Sequence, residues 1–107
     1  MFKVGDRVLA MWPVEMVWWY PATVVGTYGE FFDVSYDDGD QARLAASQMK
    51  PLAIGVGARV FGRWQGGGQY YPGRVATASG DAIHIQYDDG DKEDTTVRMV
   101  RVHQDDL

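Results

Sequence analysis

The sequence predicts an all-β protein made of two tandem, five-stranded SH3-like barrels packed together. Three observations carry that expectation: an internal duplication, short alternating segments broken by turn residues, and no sustained helical periodicity. The duplication comes first because it settles the organisation. Val4-Gly5-Asp6-Arg7-Val8 returns as Val56-Gly57-Ala58-Arg59-Val60, and Trp12 returns as Trp64, both at an offset of 52. Tyr20-Pro21 returns as Tyr71-Pro72, and Tyr36-Asp37-Asp38-Gly39-Asp40 returns unchanged as Tyr87-Asp88-Asp89-Gly90-Asp91, at an offset of 51. One extra residue therefore lies between Trp12 and Tyr20, in a tolerant loop. The first barrel is expected over residues 1–52 and the second over 53–102, with a polar, fraying tail at 103–107.

Within a copy, the strands follow in order. Val4 to Trp12 alternates in part, with Val4, Val8 and Ala10 on one face. Pro21 marks the start of the second strand, where its missing N–H does no harm, and Thr23-Val24-Val25 continues it. Phe32, Val34 and Tyr36 share one side of a third strand, and Asp-Asp-Gly-Asp is a hairpin turn in which glycine supplies positive φ. Gln41 to Leu44 forms the fourth strand and Met49 to Leu52 the fifth. The second copy repeats this order, with Ile83, Ile85 and Tyr87 in its third strand and Val100 and Val102 near its end. Each unit has a thin core. The joint Ala53-Ile54-Gly55 is too short and too apolar for a free linker, so the barrels are expected to pack against each other.

Composition narrows the function. The chain has 107 residues, of which 46% are hydrophobic and 23% charged, as in an ordinary globular protein. No cysteine is present, which excludes disulfides and thiolate metal sites, and His84 and His103 have no partner at ligand spacing. No cofactor is predicted. Fifteen acidic against ten basic residues give a formal charge of −5, which argues against duplex DNA and favours cationic partners. No apolar run approaches the roughly 18 residues of a membrane span, and no leader-like segment opens the chain. The expectation is an intracellular protein, nuclear in a eukaryote and cytoplasmic in a bacterium.

Val-Gly-x-Arg-Val, a Trp leaving the first strand, Tyr-Pro opening the second and Tyr-Asp-Asp-Gly at the third turn together resemble the Tudor domain. The likeness is to the tandem Tudor and Agenet-type modules of the royal superfamily. It runs once from Val4 to Leu52 and again from Val56 to Val102. The resemblance implies an aromatic cage for a methylated Lys or Arg side chain, hence a non-catalytic reader of a protein partner, with a histone tail as the ligand in a nucleus. Carried over by position, the cage residues are Trp64, Tyr71, Tyr87 and Asp89 in the second copy. In the first they are Trp12, Tyr20, Tyr36 and Asp38, with Trp19 as a substitute wall. Some family members carry a further aromatic after the turn glycine; here Asp40 and Asp91 stand there, so each cage lacks one wall.

The chemistry holds apart from the family. A methylated ammonium keeps its charge but loses hydration, and each aromatic face attracts it by roughly 0.5–2 kcal/mol. A carboxylate accepts a bond from any remaining N–H, which favours lower methylation states over trimethyl-lysine. Glu93 and Asp94, as flanking acids, suit a basic peptide. Structural roles compete with these readings. Trp12 and Trp64 can cover the end of a barrel, Tyr36 and Tyr87 can be plain core, and the adjacent Trp18 and Trp19 point to opposite faces, one of them toward barrel packing.

The acidic turns do not have the frame of a calcium-binding loop, Gln65-Gly66-Gly67-Gly68-Gln69 lacks the lysine of a phosphate loop, and Ser47 and Ser79 have no triad partners. Two alternatives stand beside the reader: a nucleic-acid-binding barrel using Arg59, Arg63, Arg74, Arg98 and Arg101, and a structural adaptor for an unmodified protein.

Overall fold

The computed structural model describes all 107 residues, Met1–Leu107. The chain divides into two compact units, Met1–Ala53 and Ile54–Leu107. The first unit holds β1 (Arg7–Met11), β2 (Trp18–Tyr28), β3 (Phe31–Tyr36), β4 (Gln41–Ala45) and β5 (Met49–Pro51), with a single 3-10 turn at Ala46–Gln48. All neighbours are antiparallel: β1 pairs with β2 and β5, β2 with β3, and β3 with β4. The second unit repeats this with β6 (Arg59–Arg63), β7 (Tyr70–Ser79), β8 (Ala82–Tyr87), β9 (Lys92–Thr96) and β10 (Val100–His103).

Side-chain alternation sets each core. Val8, Ala10, Ala22, Val24, Phe32, Val34, Tyr36, Leu44 and Met49 form the first unit's buried cluster. Phe2, which lies outside the repeated pattern, packs edge-on against Phe32 with ring centroids 5.9 Å apart. The second unit buries Val60, Val75, Ile83, Ile85, Tyr87, Val97, Val100 and Val102. Both long strands carry an irregularity at the same repeat position, between Val24 and Gly26 and between Val75 and Thr77. Such bulges raise the local bend that closes a short sheet on itself.

The repeated prolines and acidic turns explain one another. β2 begins at Trp18 rather than at Pro21, and Pro21 pairs with Leu9 inside it. The carbonyl of Pro21 accepts the Asp37 N–H at 3.0 Å, and Pro72 accepts that of Asp88 at 3.0 Å. Each proline thus turns its missing donor toward a turn, not toward a ladder. Gly39 and Gly90 complete those turns at φ +98° and +96°, where a side chain would be strained.

The repeated arginine has a partner in the same turn. Arg7 grips Asp37 with Nη1···Oδ1 at 2.6 Å and Nη2···Oδ2 at 2.8 Å, and Arg59 grips Asp88 at 2.6 and 2.5 Å. Paired parallel bonds of this kind fix orientation as well as charge. The fork ties the first strand of each unit to the turn beyond its third strand.

Two expectations are corrected here. Val4 is 60% exposed and sits in a turn before β1, not on the core face of a strand beginning at residue 4. Gly5 there donates to the Val24 carbonyl at 2.8 Å, so the backbone of this turn, not the Val4 side chain, meets the barrel. At the other end, His103 belongs to β10, and Gln104–Asp106 form a 3-10 turn whose Asp105 N–H donates to His103 Nδ1 at 3.2 Å. No helix is long and apolar enough to cross a membrane.

Candidate functional site: two aromatic cavities

Each unit opens a cavity at the same repeat positions. Trp12, Tyr20, Tyr36, Asp38 and Asp40 line one of about 140 Å³. Trp64, Tyr71, Tyr87, Asp89 and Asp91 line another of about 180 Å³. The eight positions Trp12, Tyr20, Tyr36, Asp38, Trp64, Tyr71, Tyr87 and Asp89 are therefore brought together as two sets of four.

The tryptophans owe their positions to the end of the first strand of each unit. Trp12 follows β1 and its N–H donates to the Trp18 carbonyl at 2.9 Å, closing the loop between them. Trp64 opens a 3-10 turn, Trp64–Gly66, immediately after β6. The tyrosines before the acidic turns form the floors. Tyr36 is 3% exposed and Tyr87 5%, so each is at once core and cavity lining. The Trp12 and Tyr36 rings meet edge to face at 5.4 Å, and Tyr20 meets Tyr36 at 6.3 Å and 90°. Trp64 meets Tyr87 at 5.7 Å and 90°. Perpendicular walls of this kind present a face and an edge to the same small volume.

Two carboxylates complete each cavity. Asp38 accepts the Asp40 N–H at 3.0 Å, and Asp89 accepts that of Asp91 at 3.0 Å, so one oxygen of each stiffens its turn. Asp40 and Asp91 stand where a further aromatic wall was expected to be missing, and they line the cavities themselves. The pocket is open on that side to charge rather than closed by a ring.

The floor tyrosines are anchored differently. Tyr36 donates its hydroxyl to the Met11 carbonyl at 2.5 Å. Tyr87 donates to Glu93 Oε2 at 2.5 Å, and Glu93 Oε1 accepts the Gln65 N–H at 3.1 Å. Both phenols have their pKa pushed well above the ordinary tyrosine value. Burial is the main cause in each. Asp38 and Asp40 add to it at Tyr36, and the bond to Glu93 adds to it at Tyr87. They stay neutral.

One expected role does not survive. Trp19 is not a wall of the first cavity: it pairs with Met11 in β1, on the opposite side of β2 from Tyr20, and is 6% exposed. Of the two flanking acids, Glu93 bridges Tyr87 and Gln65, while Asp94 stays exposed and lies 2.7 Å from His84 Nδ1. Sequence reasoning named Glu93 only as a flanking acid and missed its bond to Tyr87, because the position is not repeated: its match in the first unit is Ala42, opposite Val34 as Glu93 is opposite Ile85.

The arginines grouped as a basic patch are mostly engaged. Arg59 pairs with Asp88. Arg63 donates to the Gly67 and Gly66 carbonyls at 2.7 and 3.3 Å, and Arg74 to the Gly57 carbonyl at 3.2 Å. Arg101 lies 4.1 Å over the Tyr70 ring. Of these contacts only the Arg59–Asp88 pair sets a carboxylate against the charge.

Residues 4–52 match the family described as the DNA repair protein Crb2 Tudor domain. The crystal structure of the Crb2 tandem Tudor domains superposes with a TM-score of 0.74 at 17% identity, covering 99% of this chain and 84% of that one. Two further solved structures score lower. Arabidopsis thaliana AGDP1 AGD34 has 18% identity, 96% and 83% coverage and a TM-score of 0.48. Tandem Agenet domain 3-4 of ADCP1 has 18% identity, 96% and 81% coverage and a TM-score of 0.45. No curated protein matches the chain in sequence.

Proposed function

We propose that this chain is a tandem Tudor protein that reads a methylated Lys or Arg side chain on a protein partner through its aromatic cavities; the Tudor match of residues 4–52 and the tandem fold of both units support the reading. Tudor domains are non-catalytic binding modules. The observation that carries the finer reading is the pair of cavities in which a Trp, two Tyr and two Asp recur at equivalent positions. A methylated ammonium entering one meets aromatic faces worth roughly 0.5–2 kcal/mol each. The two carboxylates reward a ligand that keeps an N–H, so mono- and dimethyl-lysine and methylarginine are favoured over trimethyl-lysine. The acidic chain suits a basic segment around the modified residue, which in a nucleus is a histone tail and in a bacterial cytoplasm another cationic protein.

The test is an NMR titration with free mono-, di- and trimethylated lysine and methylarginine, following the tryptophan indole N–H signals. Saturable shifts at Trp12 or Trp64 are expected, abolished at the second site by Tyr71→Ala, which keeps the Trp64 reporter. Tyr87→Ala is the poorer control because Tyr87 is also core. Absence of any shift at millimolar ligand would overturn the reading.

A further inference from the structure

In register and in neighbours, Glu93 replaces an apolar residue at the margin of the core. Its counterpart Ala42 packs against the first unit's buried cluster. A carboxylate at such a place is costly unless both oxygens find donors. Both do: Tyr87 supplies its hydroxyl and Gln65 its backbone N–H. Gln65 is also the one non-glycine residue with positive φ, at 52°. A left-handed residue outside glycine persists where surrounding bonds hold it.

A third position changes with these two. A Cβ on Gly62 would lie 2.6 Å from the Tyr87 hydroxyl and 3.0 Å from Ile85 Cδ1. The matching residue of the first unit is Ala10, which carries that carbon, and there Tyr36 bonds the Met11 carbonyl instead. Gly62, Tyr87 and Glu93 thus form one arrangement, and Ala10, Tyr36 and Ala42 form another.

We propose that Glu93 is the positioning residue of the second cage: its carboxylate locks the Trp64–Gly66 turn to Tyr87, so that the two walls stand at right angles before a ligand arrives. It also places a negative charge behind the Tyr87 wall, where the first unit has Ala42. Preorganised walls lose less freedom on binding, and added negative charge strengthens attraction for a cation. Because Tyr36 is likewise tied, to the Met11 carbonyl, it is the added charge of Glu93 that makes the second cage the tighter of the two for a methylated ammonium. This ligand consequence rests on the proposed reader function; the lock itself does not.

The experiment compares the full chain with Glu93→Ala and Glu93→Gln, with and without free dimethyl-lysine as the probe. Without ligand, Glu93→Ala should speed hydrogen exchange at the Gln65 amide by about tenfold or more while leaving the Ile85 amide, the marker of an intact barrel, protected. With ligand, it should weaken binding seen at the Trp64 indole by about tenfold and leave binding at Trp12 unchanged. Glu93→Gln can still accept the Gln65 N–H, so it should restore exchange protection and recover part of the affinity. Unchanged Gln65 exchange in Glu93→Ala overturns the lock. Faster exchange with undiminished affinity at Trp64 overturns its role in binding. Faster exchange in a protein whose wild type takes up no probe keeps the lock and removes the reader function instead.

Discussion

In the first unit the floor tyrosine gives its hydroxyl to a backbone carbonyl, and in the second it gives the same hydroxyl to a carboxylate that reaches on to the neighbouring turn. The rings occupy equivalent positions, are equally buried and face equivalent tryptophans. The exposed chemistry has been kept while the support beneath it was rebuilt. A neutral bond to Met11 ties Tyr36 to the residue next to Trp12. A charged bridge through Glu93 ties Tyr87 to the residue next to Trp64. The comparison teaches that the coupling between floor and wall is the invariant, and the atoms that provide it are not.

The largest effects test what the units share. Tyr36→Ala and Tyr87→Ala should each cost about 3–5 kcal/mol in urea unfolding, because each empties a buried aromatic site. A loss below about 1 kcal/mol in either would break the equivalence of the floors.

The next pair tests the glycine exchange. Gly62→Ala should destabilise by about 1–3 kcal/mol through the clash with the Tyr87 hydroxyl. Ala10→Gly should cost only about 0.5–1 kcal/mol, from backbone freedom. Equal costs would show that the two tyrosines do not differ in their clearance.

Removing only the hydroxyls separates the two anchors. Tyr87→Phe takes a donor from a carboxylate and should cost about 1.5–3 kcal/mol, toward the lower figure because Glu93 is partly exposed. Tyr36→Phe takes one from a neutral carbonyl and should cost about 0.5–1.5 kcal/mol. Urea midpoints of the two variants, compared with wild type, read the difference, and a reversed order would refute the assignment of a charged and a neutral anchor.

The smallest effect concerns acid. The bond from Arg59 holds the Asp88 carboxyl below its usual range. A depressed folded-state pKa contributes stability above the unfolded value and loses it as pH falls through the folded one. Stability should therefore decline in acid below the ordinary carboxylate range, and Asp88→Asn should flatten that decline. A slope identical in the variant and the wild type would mean that the Arg59 fork adds nothing.

Much of this was legible in the residues. The two offsets located both units, the alternation of Phe32, Val34 and Tyr36 marked a core face, and Tyr-Asp-Asp-Gly-Asp marked the turn that brings a floor and a carboxylate together. The repeated arginine and the first turn aspartate were also visible as repeats. Their pairing was not, because residues 30 positions apart meet only through the sheet. Val4 misled because an apolar residue before a turn glycine fits the strand period as well as one inside it. Trp19, expected as a substitute wall, misled against parity: a neighbour of Tyr20 in a strand must face the other way. Glu93 lay outside any reading based on repetition, since what distinguishes it is that the first unit lacks it.

The double duty of Tyr36 and Tyr87, as core and as cavity floor, sets the order in which such a module can decay. A copy that had stopped binding would be held to its tyrosine by folding alone. Erosion would begin at residues that folding does not protect, such as the exposed Tyr71 at the rim of the second cavity. The floor is held by folding and the rim is not, and both copies keep a rim aromatic, Tyr20 in the first and Tyr71 in the second.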